Sequence, residues 1–258
     1  MHAMSSRDAR LAALRDQVRT IESAGRAAGR LYLPFGLDPV DARLAGGGLA
    51  VAALHEAAPA SPAFGDEAAA TLFVAAAAAR LSRAQDEGTV LWALSRRDLF
   101  APGLALAGLT PERLIYAECR RDEEVLAVME DGLRHGGLAA VVGEAASLGL
   151  AAGRRLQLAA EEGGTTALIL RRWRKVGADP LALPSAAVTR WRLACLPSER
   201  LAVPAVGRPR WQVALVRQRG GEAHEWILEA PDAEACLALP SRSADRPDSA
   251  VGADRRAA

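Results

Sequence analysis

Lysine is nearly absent from this chain. Lys175 is the single lysine among 258 residues, every other basic residue is an arginine, and residues 1–174 hold no lysine at all. Chemistry that depends on a lysine amine, including the lysine of a phosphate-binding loop, is therefore excluded from the first two-thirds. Cysteine is scarce as well. Cys119, Cys195 and Cys236 are odd in number, far apart and without a CxxC pair, which excludes a disulfide framework and a zinc knuckle. The four histidines, His2, His55, His135 and His224, show no metal-ligand spacing, so structural or surface roles are expected and no metal or cofactor is called for. His55-Glu56 lacks a second histidine four residues after the first, so it is not a metalloprotease pair. An excess of one sign of charge is missing too: 32 basic against 31 acidic residues leave a net charge of +1, which excludes a polyanion-coating protein. The most apolar run, residues 68–79, is short and alanine-dominated, far below the ~20 residues that span a bilayer. Residues 1–10 are polar and no apolar signal core follows them, so a cytoplasmic, non-membrane protein is expected.

What is present suits one globular domain. Half the residues are hydrophobic and 24% are charged, and a chain of this length buries roughly three-quarters of the surface it would expose when unfolded. Leu11, Leu14, Val18 and Ile21 recur at helical spacing among charges, predicting an amphipathic helix within residues 1–30 whose apolar stripe packs on its own domain or docks on a partner. Strands are predicted at 51–56, 89–95, 113–118, 138–142 and 167–170, and helices at 67–85, 122–135 and 148–162, the last two stopped by Gly136-Gly137 and Gly163-Gly164. Continuously apolar strands separated by helices imply βαβ units and a parallel sheet covered on both faces. Segments 187–196, 210–219 and 225–229 alternate apolar and polar residues, so they read as antiparallel strands extending that sheet. The Arg190-Trp191 and Arg210-Trp211 pairs and Trp226 then fall on a solvent face, as stacked side chains or as a partner-binding surface. The domain is placed at 31–239, and a tail without periodicity, 240–258, is expected to be disordered.

A strand followed by a loop and a helix invites a phosphate-binding loop, which needs close-approach glycines, a lysine and a Ser or Thr for magnesium. Residues 57–79 hold no lysine or arginine, and Asp66 and Glu67 stand where the helix begins. Carboxylates there complement the helix dipole themselves and repel a phosphate.

The order of elements, with Leu37-Asp38, Gly46-Gly47-Gly48-Leu49 and the run into Leu54-His55-Glu56, resembles the RecA recombinase core over residues 30–230. The fold class this implies is α/β, a RecA-like core with a mostly parallel central sheet flanked by helices and extended by C-terminal antiparallel strands. The catalytic features of that core are absent: Arg96 lies near the expected glutamate and Gly143-Glu144 replaces the Walker B aspartate. These departures, with Leu91-Trp92 through Leu104, Arg154 through Ala159 and Gly207-Arg208-Pro209-Arg210-Trp211, are similar to the ImuA group of RecA-like accessory proteins encoded in SOS mutagenesis cassettes. The resemblance implies a non-catalytic factor that binds ImuB, an inactive Y-family polymerase relative, with RecA or a second copy as further partners. A SulA-like inhibitor of cell division and a RecA paralogue with unconventional ATP or DNA binding are the alternatives.

Two arginine-bearing segments are candidate contacts for DNA or an acidic partner. Arg96 and Arg97 follow an apolar strand at the end where open α/β sheets place ligands, and they either grip a partner or pair with Glu118 or Glu144. Arg171-Arg172-Trp173-Arg174-Lys175 is the densest basic run; guanidinium groups match phosphates and an indole offers a stacking plane. The same run alternates at a strand end, where Trp173 would instead cover the core.

Overall fold

The computed structural model describes residues 31–173, 179–198 and 207–240. The amphipathic stripe at Leu11, Leu14, Val18 and Ile21, the tail beyond residue 240, and Arg174 and Lys175 lie outside the described residues.

A short antiparallel pair, β1 (Tyr32–Leu33) and β2 (Leu49–Ala50), precedes the main sheet and brackets a one-turn helix, α1 (Asp38–Asp41). Gly48 allows this pair to close, because a β-carbon there would overlap the Leu33 carbonyl group. The chain then lays down β3 (Leu54–Pro59), α2 (Phe64–Arg83), β4 (Val90–Leu94), α3 (Ala101–Leu106), β5 (Leu114–Glu118), α4 (Asp122–His135), β6 (Ala140–Ala145), α5 (Leu150–Gly163) and β7 (Thr166–Arg171). Three strands complete it: β8 (Thr189–Leu196), β9 (Arg210–Gln218) and β10 (His224–Glu229). The eight-stranded sheet has the order β10-β9-β8-β3-β7-β6-β4-β5.

Side-chain alternation divides the core into two layers. Along β6 and β7, Ala140, Val142, Leu168 and Leu170 face α2, whereas Val141, Ala167 and Ile169 face α4 and α5. The alanine run of α2 serves this burial: seven alanines between 69 and 79 are buried, letting the helix lie close against the sheet. Helix α4 matches its predicted bounds. Acidic Asp122, Glu123 and Glu124 occupy its first turn, Arg134 and His135 its last, and Gly136 ends it in the left-handed conformation at φ 71°.

Two expectations are corrected. The first of the three late strands is parallel to β3, with His55 opposite Thr189, and only its partner β9 runs antiparallel to it. Residues 172–188 form a connection long enough to return the chain to the start of a parallel strand. The tryptophans are also not on a solvent face. Trp191, Trp211 and Trp226 are buried. Trp191 packs within 5.3 Å of Phe73, 5.7 Å of Phe35 and 6.3 Å of Trp226, ring centre to ring centre. The covering layer that alternation alone did not reveal comes from α2 and from residues 35–44, whose Pro39 carbonyl accepts a 3.0 Å hydrogen bond from Trp226 Nε1.

Candidate functional site

The parallel strands end together at one edge of the sheet, the edge at which open α/β sheets bind ligands. Residues 60–63 connect β3 to α2 there. Ser61 Oγ donates to Asp66 Oδ2 at 2.6 Å and receives the Ala63 N–H at 3.2 Å, while Asp66 Oδ1 accepts the Cys195 N–H at 2.7 Å. The loop is thus closed on the helix by the helix's own carboxylate. Its one nearby glycine, Gly65, faces the Cys195 side chain, whose β-carbon would lie 3.2 Å from an added β-carbon.

Arg172 dominates what lies beside this loop. Emerging from the end of β7, its Nη1 donates to Glu67 Oε2 at 2.6 Å and Thr71 Oγ1 at 3.3 Å, while Nε and Nη2 meet Glu144 Oε2 at 2.9 and 2.8 Å. Trp92 Nε1 donates to the other Glu144 oxygen at 2.8 Å. Glu144 is 2% exposed. Burial pushes its carboxyl above the ordinary range, against the pull of Arg172 and the Trp92 hydrogen bond. Burial also opposes the charge of Arg172, but Glu144 and Glu67 outweigh it and hold the guanidinium above its usual value.

A second buried cluster lies one strand over. Glu56 on β3 is fully buried and takes Arg171 Nη1 at 3.5 Å, Arg190 Nε at 3.1 Å and the Ser185 hydroxyl. Arg171 Nη2 also donates to the Ala146 carbonyl at 3.0 Å. Burial lowers the pKa of Arg171 despite Glu56. His55 is structural: Ala50 O accepts from its Nε2 at 2.8 Å, which leaves Nδ1 to accept from the Thr189 hydroxyl at 2.7 Å.

These arrangements correct the expected role of Arg171 and Arg172. Both are buried and directed at internal carboxylates, so neither presents its guanidinium to a phosphate backbone or an acidic surface. Trp173 is half-buried, donating from Nε1 to the Pro59 carbonyl at 3.2 Å. Arg96 and Arg97 remain exposed. Arg97 pairs with Glu118, one of its two candidate partners, and Arg96 pairs with Asp98 at 2.7 Å. Glu144, the other candidate, belongs to Arg172. Sequence reasoning missed Thr71, Trp92, Ser185 and Arg190 as members of these clusters, and periodicity offered no signal for them.

Between α2 and α3 the edge opens into a cleft of about 520 Å³ walled by Phe64, Leu72, Phe100 and Leu104, with Arg172 and Trp173 at its end. Phe64 and Phe100 are 90% and 70% exposed. The residues here do not fit a nucleoside triphosphate and its magnesium ion: the loop has no lysine, α2 begins with carboxylates, and the buried Arg172 is already surrounded by Glu144, Glu67 and Asp98. Among the described residues, no three His, Cys, Asp or Glu side chains are grouped to hold a metal, and no helix is long and apolar enough to cross a membrane.

No family model matches the chain. It is similar to the RadB recombinase in crystal structure, with a TM-score of 0.53 at 16% identity, covering 81% of this chain and 100% of that one. This likeness shows a RecA-like fold. In sequence it is 39% identical over 232 residues to Protein ImuA of Caulobacter vibrioides, in strain NA1000 and in strain ATCC 19089, covering 87% of this chain and 95% of each relative. At that identity over nearly the whole relative, the chain belongs to the ImuA family.

Proposed function

We propose that this chain is a non-catalytic RecA-fold accessory factor of damage-inducible translesion synthesis, supporting error-prone repair through protein-protein contacts. Its first partner is an ImuB-like Y-family polymerase relative, and RecA or a second copy of the chain are further partners. The observation that carries the reading is Arg172, bound by Glu144 at 2.8 Å and Glu67 at 2.6 Å beside the loop where a nucleotide's phosphates would lie. An anion entering there would displace carboxylates already bonded to the buried guanidinium of the site, with no lysine in the loop to replace it. Membership of the ImuA family supports the same conclusion.

The contact residues proposed are Leu11, Leu14, Val18 and Ile21, with exposed Arg96 and Arg97 for an acidic surface. The test is affinity capture of the ImuB-like protein by the full chain and by Leu14→Asp/Val18→Asp. Loss of capture with an unchanged circular dichroism spectrum supports the stripe, and retained capture removes it. Calorimetry with ATP and magnesium tests the non-catalytic reading separately: no heat is expected, and micromolar binding overturns it.

A further inference from the structure

The cleft between α2 and α3 is apolar, concave and of the size that takes a ligand. Its charges are already matched, since Arg172 is held by Glu67 and Glu144 and Arg96 by Asp98 at 2.7 Å. Among the described residues lining it, a charged ligand would find each counter-charge already engaged. The matching occupant is an uncharged, apolar strip, and the chain carries one outside the described residues. Leu11, Leu14, Val18 and Ile21 recur at helical spacing, and ten residues of helix run about 15 Å. The wall of the cleft from Phe64 to Leu72 runs about 12 Å along α2.

The chain also starts within reach. Described residues begin at Leu31, and Arg80 in the last turn of α2 donates to the Pro34 carbonyl. From Arg80 to Leu72, the near end of the cleft, is about 12 Å along the helix. Residues 22–30, rich in Gly, Ala and Ser, span up to about 30 Å when extended. Length, polarity and point of departure agree. We infer that the apolar stripe of residues 11–21 occupies the α2–α3 cleft of its own chain, covering Phe64, Leu72 and Phe100, so that a partner taking the stripe must first draw it out. The inference does not depend on any partner's identity, nor on whether one exists.

The test is disulfide trapping in the full chain with Cys119, Cys195 and Cys236 changed to serine. One variant carries Val18→Cys with Ala68→Cys on the cleft wall; the control carries Val18→Cys with Arg134→Cys on α4, on the opposite face of the sheet. Under mild oxidation the cleft pair is expected to close within single chains on the order of tenfold faster than the control, because docking raises the effective concentration of the two thiols. Adding Leu14→Asp should reduce the rate to that of the control. Equal rates in the two pairs, indifference to Leu14→Asp, or a disulfide that forms only between chains would each overturn the inference. Failure to capture an ImuB-like partner would leave it untouched, so the two proposals are separable.

Discussion

Replacing Arg172 by methionine keeps an aliphatic stem while removing the guanidinium, which separates the ion pairs from the packing. The substitution deletes the bonds at 2.9 and 2.8 Å to Glu144 and at 2.6 Å to Glu67. Glu67 suffers less, since its side chain is 18% exposed and returns to water. Glu144 keeps only the Trp92 hydrogen bond at 2.8 Å. Burial already holds its carboxyl above the ordinary range, and without the opposing charge of Arg172 it rises further. Removing one partner of a buried pair in this way costs roughly 3–5 kcal/mol. Urea unfolding at pH 5, 6 and 7 measures it. A carboxyl with a raised folded-state pKa favours the folded chain most when protonated and gives up stability as pH climbs above its unfolded value. The deficit of Arg172→Met relative to the parent should therefore widen from pH 5 to pH 7. The companion Arg172→Met/Glu144→Gln, which removes the titrating group, should lose that slope. A deficit below ~1 kcal/mol, or one that does not vary with pH in the single variant, would refute the account.

Three further predictions concern other parts of the fold. Trp191→Ala should destabilise by about 3–5 kcal/mol in a denaturant melt, because it empties the contact among Phe35, Phe73 and Trp226; a loss under ~1 kcal/mol would mean that the cluster is not a core. Gly163→Ala should unfold at clearly lower urea than Gly164→Ala, since a β-carbon at 163 collides with the Leu133 carbonyl whereas 164 has open space and only a left-handed backbone at φ 68° to strain, about 1–2 kcal/mol. Equal midpoints would count against the close approach of α4 and α5. Phe64→Ser/Phe100→Ser should shift stability by no more than ~0.5 kcal/mol per site in the Leu14→Asp/Val18→Asp chain, because both rings are exposed in the described structure.

Much of the fold was legible where local chemistry is strong. Helix α4 carries acids at one end, bases at the other and a glycine stop, and those signals place both of its ends. The five parallel strands β3 to β7 were apolar runs between helices, their observed ends displaced from the expected ones by at most three residues. The two-residue strands β1 and β2 were too short for any periodicity to register. The tryptophans misled for a physical reason. A strand pattern of Arg-Trp-Arg says that neighbours point to opposite faces but not which face is wet, and at β8 both are buried, Trp191 under α2 and Arg190 against Glu56. The basic run 171–173 misled likewise, because buried arginine is rare and is justified only by carboxylates remote in sequence, on β3, α2 and β6: Glu56, Glu67 and Glu144 lie 115, 105 and 28 residues away from their partners. The absence of lysine from residues 57–79, and the carboxylates of Asp66 and Glu67 at the start of α2, were by contrast plain in the sequence.

The position of Arg172 also bears on how this chain can change over time. A lysine introduced into residues 60–63 would stand beside a guanidinium already satisfied by Glu144 and Glu67, adding repulsion without freeing a phosphate site. Removing Arg172 first would leave the fold weakened by the buried Glu144 and the entrance lined with acid. Each of these single steps toward a nucleotide site is therefore uphill. The ion cluster makes a nucleotide site difficult to build here one residue at a time.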